Sequence, residues 1–390
     1  MDPVVDDLLA TAYPTMVELR HDLHAHPELS FRERRTTEVI RARLSELGWT
    51  VAPTGLDTGV VATRAGVGDG RRVMLRADID ALPVEEEVDL PYRSTHSGVM
   101  HACGHDVHTA ALLGVAEVLA RLDGAVGPIT LVFQPAEEGL GGARALVEDG
   151  LFERPPVDVV LGGHVTSLAP TGIVGVRAGV AMSRGEAFEV TLEGSGGHGA
   201  MSTREGNVVL ALAALLPRLE QTVAHLATDG TPCACSAGVV QAGTANNVVP
   251  RRALARGTLR TFTPEQREVA HARFDEILAE VSDDFAITAV VTWAGMTPAV
   301  VNDAGVTARV RAMLEDALGP AAVIDLPPTS ASDDVAELLE RVPGCYLFVG
   351  GAPSDRPVGM HHAPDFFVED ASLRFMARSL VAGALGLSRP

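Results

Sequence analysis

The run Arg72-Val73-Met74-Leu75-Arg76-Ala77-Asp78 is short, largely apolar and closed by a carboxylate, with Asp80 two positions further on. Such a run predicts a β-strand of a buried sheet. Outward from it, Thr109 to Leu122 is rich in Ala, Leu and Val and predicts a buried helix. Ile129-Thr130-Leu131-Val132-Phe133 and Val157-Asp158-Val159-Val160-Leu161 predict two further strands. Strands alternating with helices imply an α/β fold whose mixed sheet is covered on both faces. Polar residues follow each strand: Asp78 and Asp80, then Glu137 and Glu138, then His164. Open α/β sheets bind their ligands at the C-terminal ends of such strands.

Between Ser183 and Trp293 the pattern changes to strand (Ala187 to Leu192), helix (Arg204 to Leu226), strand (Ala234 to Gln241), strand (Ala253 to Thr261), helix (Pro264 to Val281) and strand (Ile287 to Thr292). A βαββαβ order predicts a ferredoxin-like α+β unit. The chain is therefore expected to comprise one domain over 1–182 and 295–390, interrupted by an inserted second domain over 183–294. Helices are expected near Val306 to Leu318, Asp334 to Arg341 and Asp370 to Leu387, and a strand at Cys345 to Val349.

With 390 residues, two domains of ordinary size are expected. The 31 basic and 51 acidic residues give a formal net charge of -20, which argues against nucleic acid as a partner. No apolar run reaches the roughly 18 residues of a membrane span. The start, Met1-Asp2-Pro3-Val4, has no basic region ahead of an apolar one, and the four Cys are too scattered for a disulfide framework. A cytoplasmic location is expected.

The densest chemistry is His101-Ala102-Cys103-Gly104-His105-Asp106-Val107-His108; with His96, it holds four of the chain's 13 His. Cys and His are ligands for zinc-like metals, and a Cys-Gly-His spacing lets both side chains reach one centre. Cys103 as a bridging thiolate, with His105, Glu138, His164 and one late His, would hold two divalent metals. Two such cations set against one thiolate, one carboxylate and one hydroxide leave about +1, a pocket suited to a substrate carboxylate. Of the adjacent pair Glu137-Glu138, one carboxylate ligates while the other takes a proton.

These stretches, together with Arg76-Ala77-Asp78-Ile79-Asp80-Ala81-Leu82-Pro83 and Glu137-Glu138-Gly139, resemble the M20 metallopeptidase superfamily. The similarity is to its amidohydrolase branch of hippurate hydrolases, N-acyl-amino-acid deacylases and auxin-conjugate hydrolases. Arg20-His21-Asp22-Leu23-His24-Ala25-His26-Pro27-Glu28-Leu29, Gly196-Gly197-His198, Asn247-Val248-Val249-Pro250 and His362-Ala363-Pro364 extend the resemblance over nearly the whole chain. It implies a catalytic domain over 1–182 and 295–390 and a lid or dimerisation domain over 183–294. It further implies metal ligands Cys103, His105, Glu138, His164 and His362, with His361 as the rival for the last place. It also implies Glu137 as general base, Asp80 as a carboxylate supporting the ligands, His198 as polariser of the scissile carbonyl, and Asn247 and Arg260 as substrate-binding residues.

The implied reaction is hydrolysis of N-acyl amino acids with two divalent metals (Zn, Mn, Co or Ni), a metal-bound hydroxide as nucleophile and a homodimeric or homotetrameric enzyme. Competing readings are a carboxypeptidase or dipeptidase with the same centre, a metal-binding protein without catalysis, and a thiol hydrolase using Cys103. By their sequence setting alone, His24 and His26 fix the turn at Pro27, and His101 and His108 are supporting residues.

Overall fold

A computed structural model describes residues 2–66, 70–122, 126–139, 141–153, 155–226 and 231–388. The chain forms two compact units, one of Met1–Gly179, Val301–Leu326 and Asp334–Pro390, the other of Val180–Val300 and Pro327–Asp333. The insertion thus takes back a short later segment, 327–333, that the sequence pattern assigns to the first domain.

The larger unit is built on an eight-stranded mixed sheet. Its strands are β1 (Thr50–Ala52), β2 (Val60–Arg64), β3 (Val73–Asp78), β4 (Ile129–Gln134), β5 (Val159–Pro170), β6 (Val174–Val176), β7 (Val323–Asp325) and β8 (Gly344–Ala352). Their order is β1-β2-β4-β3-β5-β8-β6-β7. The centre is parallel, with Leu75 opposite both Leu131 and Leu161, and Leu161 opposite Cys345. Every residue of β3 and β4 is buried, which explains their largely apolar character. Helices α1 (Pro3–Ala25), α2 (Arg34–Glu46), α3 (His105–Arg121) and Ser372–Leu387 pack around this core. α1 and α3 approach closely because Gly114 lies where a Cβ would stand 2.3 Å from Met16 Sδ.

Three expectations are corrected. α3 begins at His105 rather than Thr109, because Gly104 caps it at φ 85, a left-handed conformation that glycine adopts at low cost. β5 runs on to Pro170, so His164 lies within the strand rather than after it. The helix expected over Asp334 to Arg341 shortens to Ala336–Leu339. Asp334 instead anchors the sheet, accepting hydrogen bonds from Gln134 Nε2 (2.6 Å) and the backbone N–H of Ala143 (2.9 Å).

The smaller unit has a four-stranded antiparallel sheet in the order Ala234–Ala242, Arg252–Thr261, Arg184–Glu193, Thr288–Thr297. Helices Val208–Ala224 and Pro264–Phe285 supply its core with Leu212, Leu215, Phe274 and Ile277. Asn207 caps the first helix, and Thr263 with Gln266 forms a capping box on the second. This is the βαββαβ arrangement expected from the sequence. Cys233 lies just outside the strand that holds Cys235.

Candidate metal centre

All proposed metal donors belong to the larger unit, and they meet at the C-terminal side of its central strands. Gly104 makes this possible at the first of them. Its left-handed turn places Cys103 in the loop and His105 at the start of α3. A Cβ there would stand 2.4 Å from Val165 Cγ1, beside His164. Cys103, His105 and Glu138 offer donor atoms within 4.8 Å of one another, and so do Cys103, His164 and His361. Cys103 is common to both trios.

Each imidazole is oriented by a partner on its far nitrogen. His105 Nδ1 lies 3.2 Å from Asp80 Oδ1, which turns Nε2 towards Glu138 Oε1 at 3.9 Å. His164 Nδ1 donates to the backbone oxygen of Val165 at 2.6 Å, leaving Nε2 3.4 Å from Cys103 Sγ. His361 Nε2 is 3.3 Å from Thr166 Oγ1 while Nδ1 lies 3.7 Å from Cys103 Sγ. A second hydrogen bond on the non-ligating nitrogen is how metal-binding histidines are fixed.

Both members of the His361–His362 pair reach the site. His362 Nε2 is 3.4 Å from Glu138 Oε1, although the ring is 54 % exposed. Its backbone is at φ 68, unusual for a residue with a Cβ, and its N–H donates to Ala102 O at 2.8 Å. His361 is the member grouped with Cys103 and His164.

A cation fits these residues. His105 Nε2 and Glu138 Oε1 are buried without a hydrogen-bond partner among the described residues. Such atoms are costly unless something is bound to them. Burial would lower the pKa of His105, but Asp78, Asp80 and Glu138 outweigh it and push it up to about 10. The pocket therefore favours positive charge at that nitrogen. His164 is held well below its ordinary value by burial, with His108 and His361 adding to the effect. Burial and His362 lower His361 to about 4. Both rings are neutral at physiological pH, with lone pairs available for a metal.

Burial raises the Cys103 thiol well above its usual range, and Glu138, Glu137 and Asp78 raise it further. Without a cation it is a poor nucleophile, which argues against the thiol-hydrolase reading.

The supporting residues are more numerous than the sequence suggests. Asp78 Oδ1 meets His108 Nδ1 at 2.5 Å, and His108 Nε2 receives the backbone N–H of Val165 at 2.8 Å. His108 thus links β3 to the residue after His164. Arg76, fully buried, donates to Gln134, Asp78 and Asp334. Their signal in the sequence is the His105-x-x-His108 spacing, which places both rings on one helix face. His24 is not a turn residue: its Nδ1 contacts Asp106 at 3.0 Å and its Nε2 contacts Glu86 at 3.1 Å. Glu137 shares the tight turn that presents Glu138, whose N–H donates to Asp80 Oδ2 at 3.0 Å.

His198, Asn247 and Arg260 lie in the smaller unit. His198 is exposed on a two-residue strand paired with Val248–Val249. Its Nδ1 accepts from Ala200 N–H at 3.2 Å, so the neutral ring carries its proton on Nε2. Asn247 is exposed in the adjoining loop, and its carbonyl accepts from Gly199 N–H. Arg260 is half-buried and donates to Ser332 Oγ; no carboxylate pairs with it among the described residues. Burial lowers its pKa.

The model of peptidase family M20/M25/M40 matches residues 74–385. N-acetyl-L-cysteine deacetylase of Bacillus subtilis (strain 168) is 37 % identical over 366 residues, covering 94 % of this chain and 86 % of the relative. Thermostable carboxypeptidase 1 of Saccharolobus solfataricus is 33 % identical, with 94 % of each chain covered. The crystal structure of Bacillus subtilis YxeP, described as a dinuclear metal-binding peptidase from the M20 family, superposes with a TM-score of 0.83. It is 29 % identical, and the match covers 97 % of this chain and 99 % of that one.

Proposed function

The chain belongs to the M20/M25/M40 peptidase family of metal-dependent hydrolases acting on amide bonds, and on that premise we propose that it is a deacylase of N-acyl amino acids. The observation that carries the reading is the pair of donor trios joined at Cys103. In this reading Cys103, as a thiolate, would be a ligand to two divalent metals of the Zn, Mn, Co or Ni class. His105, Glu138, His164 and one of the His361–His362 pair complete the set, with His362 preferred for its approach to Glu138. When bound, such ions act as Lewis acids and lower the pKa of water.

Glu137 takes the proton of the attacking water and returns it to the leaving amine nitrogen. Its place on the Glu138 turn supports that role. His198, with its proton on Nε2, donates to the scissile carbonyl oxygen. Asn247, on the loop next to it, binds the substrate. The Arg260 guanidinium, which no carboxylate pairs among the described residues, takes the substrate carboxylate.

The B. subtilis deacetylase supports acyl removal, and the S. solfataricus carboxypeptidase supports the alternative of peptide substrates. No helix among the described residues is long and apolar enough to cross a membrane. A cytoplasmic location, supported by four free cysteines, and a homodimer or homotetramer in which His198 serves a partner's site belong to the same reading.

Glu137→Gln tests the mechanism. Turnover should fall about 10²- to 10⁴-fold with metal content unchanged; full activity in that variant rejects the assignment. Comparing catalytic efficiency on acetyl, benzoyl and peptidyl amino acids separates deacylase from carboxypeptidase.

A further inference from the structure

We infer that Arg20 is a positioning residue that sets the spacing between the two chain segments bringing Cys103–His105 and the His361–His362 pair to the metal centre. The inference rests on the metal-centre reading above and adds a residue from the N-terminal helix to it.

Arg20 sits on α1 and is almost fully buried, with 2 % of its surface exposed. Its guanidinium is divided between two distant stretches of chain. Nε donates to Asp106 Oδ2 at 3.1 Å, on the residue that follows His105. The two terminal nitrogens donate to Asp370 Oδ1 at 2.6 Å and to the backbone oxygen of Val368 at 2.8 Å. Val368 and Asp370 end the segment that starts at His361, within which Phe366 packs against the His361 ring at 4.9 Å between centroids.

One planar cation therefore spans the first turn of α3 and the segment carrying the late histidines. His24, one helical turn after Arg20, holds the same Asp106 oxygen and connects it to Glu86. The Asp106 carboxylate is thus fixed from two points of α1. A lysine in place of Arg20 would keep the charge but could not hold three acceptors in one plane.

The alternative is that Arg20 only stabilises the fold. Zinc affinity by chelator competition and the visible spectrum of the cobalt-loaded protein separate the two, because neither responds to global stability alone. In full-length Arg20→Lys, zinc affinity should fall at least about tenfold, in the range seen when partners of metal ligands are removed. The cobalt bands should shift, and kcat should drop with KM nearly unchanged. Asp370→Asn, which removes the negative charge of one partly exposed arm that His21 Nε2 also contacts, should act in the same direction by a few-fold, and its effect should be largely lost when Arg20→Lys is already present. If Arg20→Lys does not fold, Asp370→Asn decides alone. Parent-like zinc affinity and cobalt spectra in the folded variants would overturn the inference while leaving the metal centre intact. A parent protein that binds no zinc would overturn the metal centre, and this inference with it.

Discussion

Asp80 holds His105 through a contact of 3.2 Å between Oδ1 and Nδ1, and its other oxygen receives the N–H of Glu138 at 3.0 Å and the hydroxyl of Ser30 at 2.6 Å. One carboxylate thereby sets the direction of two donors. Asp80→Asn should weaken metal binding about 10- to 100-fold while the metal-free protein keeps its secondary structure. Chelator competition beside circular dichroism reads both quantities, and unchanged affinity would remove Asp80 from its supporting role.

The His361–His362 pair can be resolved by single substitutions. If His362 is the ligand, His362→Ala should lower bound metal by close to one equivalent, while His361→Ala should keep both metals. Elemental analysis of the dialysed variants decides, and the reverse pattern would assign the ligand to His361. The sequence leaves this open because two adjacent rings precede Pro364, and the structure brings both within reach of donor atoms.

Much of the architecture was legible in the residues. β3 and β4 stand out because both faces of a central parallel strand are buried, which leaves a largely apolar run followed by carboxylates. Cys103 and His105 stand out by the density of Cys and His over 101–108, and Glu138 by the carboxylate pair that follows β4. What escaped depends on contacts distant in sequence. Arg20 on α1 looks like a solvated helical residue until Asp106 and Asp370, 86 and 350 positions away, close around it. His164 looks like a residue after a strand because Gly162 and Gly163 interrupt the apolar run, yet β5 continues past them against β8.

Arg260 has a half-buried guanidinium without a carboxylate partner among the described residues, a state that an anionic substrate would relieve. Arg260→Met should raise KM for N-acyl amino acids about 10- to 100-fold, the worth of a hydrogen-bonded charge pair. Substrates whose carboxylate is replaced by an amide should lose little. Equal losses on both kinds of substrate would contradict the carboxylate role.

His24 predicts a pH dependence of stability. Burial would lower its pKa, but Asp106 and Glu86 outweigh burial and raise it from 6.5 to about 9. A group whose folded pKa lies above its unfolded one stabilises the fold fully below about pH 6.5. That contribution fades as pH rises towards 9 and is gone above it. The difference corresponds to about 3 kcal/mol. Urea denaturation of the metal-free protein between pH 6 and 10 should show this loss, and His24→Gln should flatten the slope. An equal slope in the variant would assign the loss to other groups.

We propose that this chain hydrolyses N-acyl amino acids with metals that Cys103, His105, Glu138 and His164 would hold. The most direct measurement is the hydrolysis rate of acyl amino acids by exhaustively chelated protein, followed by stepwise return of Zn, Mn, Co or Ni with metal counted per chain. Activity should vanish on chelation and return as metal approaches two equivalents. Hydrolysis that persists in metal-free protein, or no hydrolysis of any acyl amino acid with both equivalents bound, would contradict it.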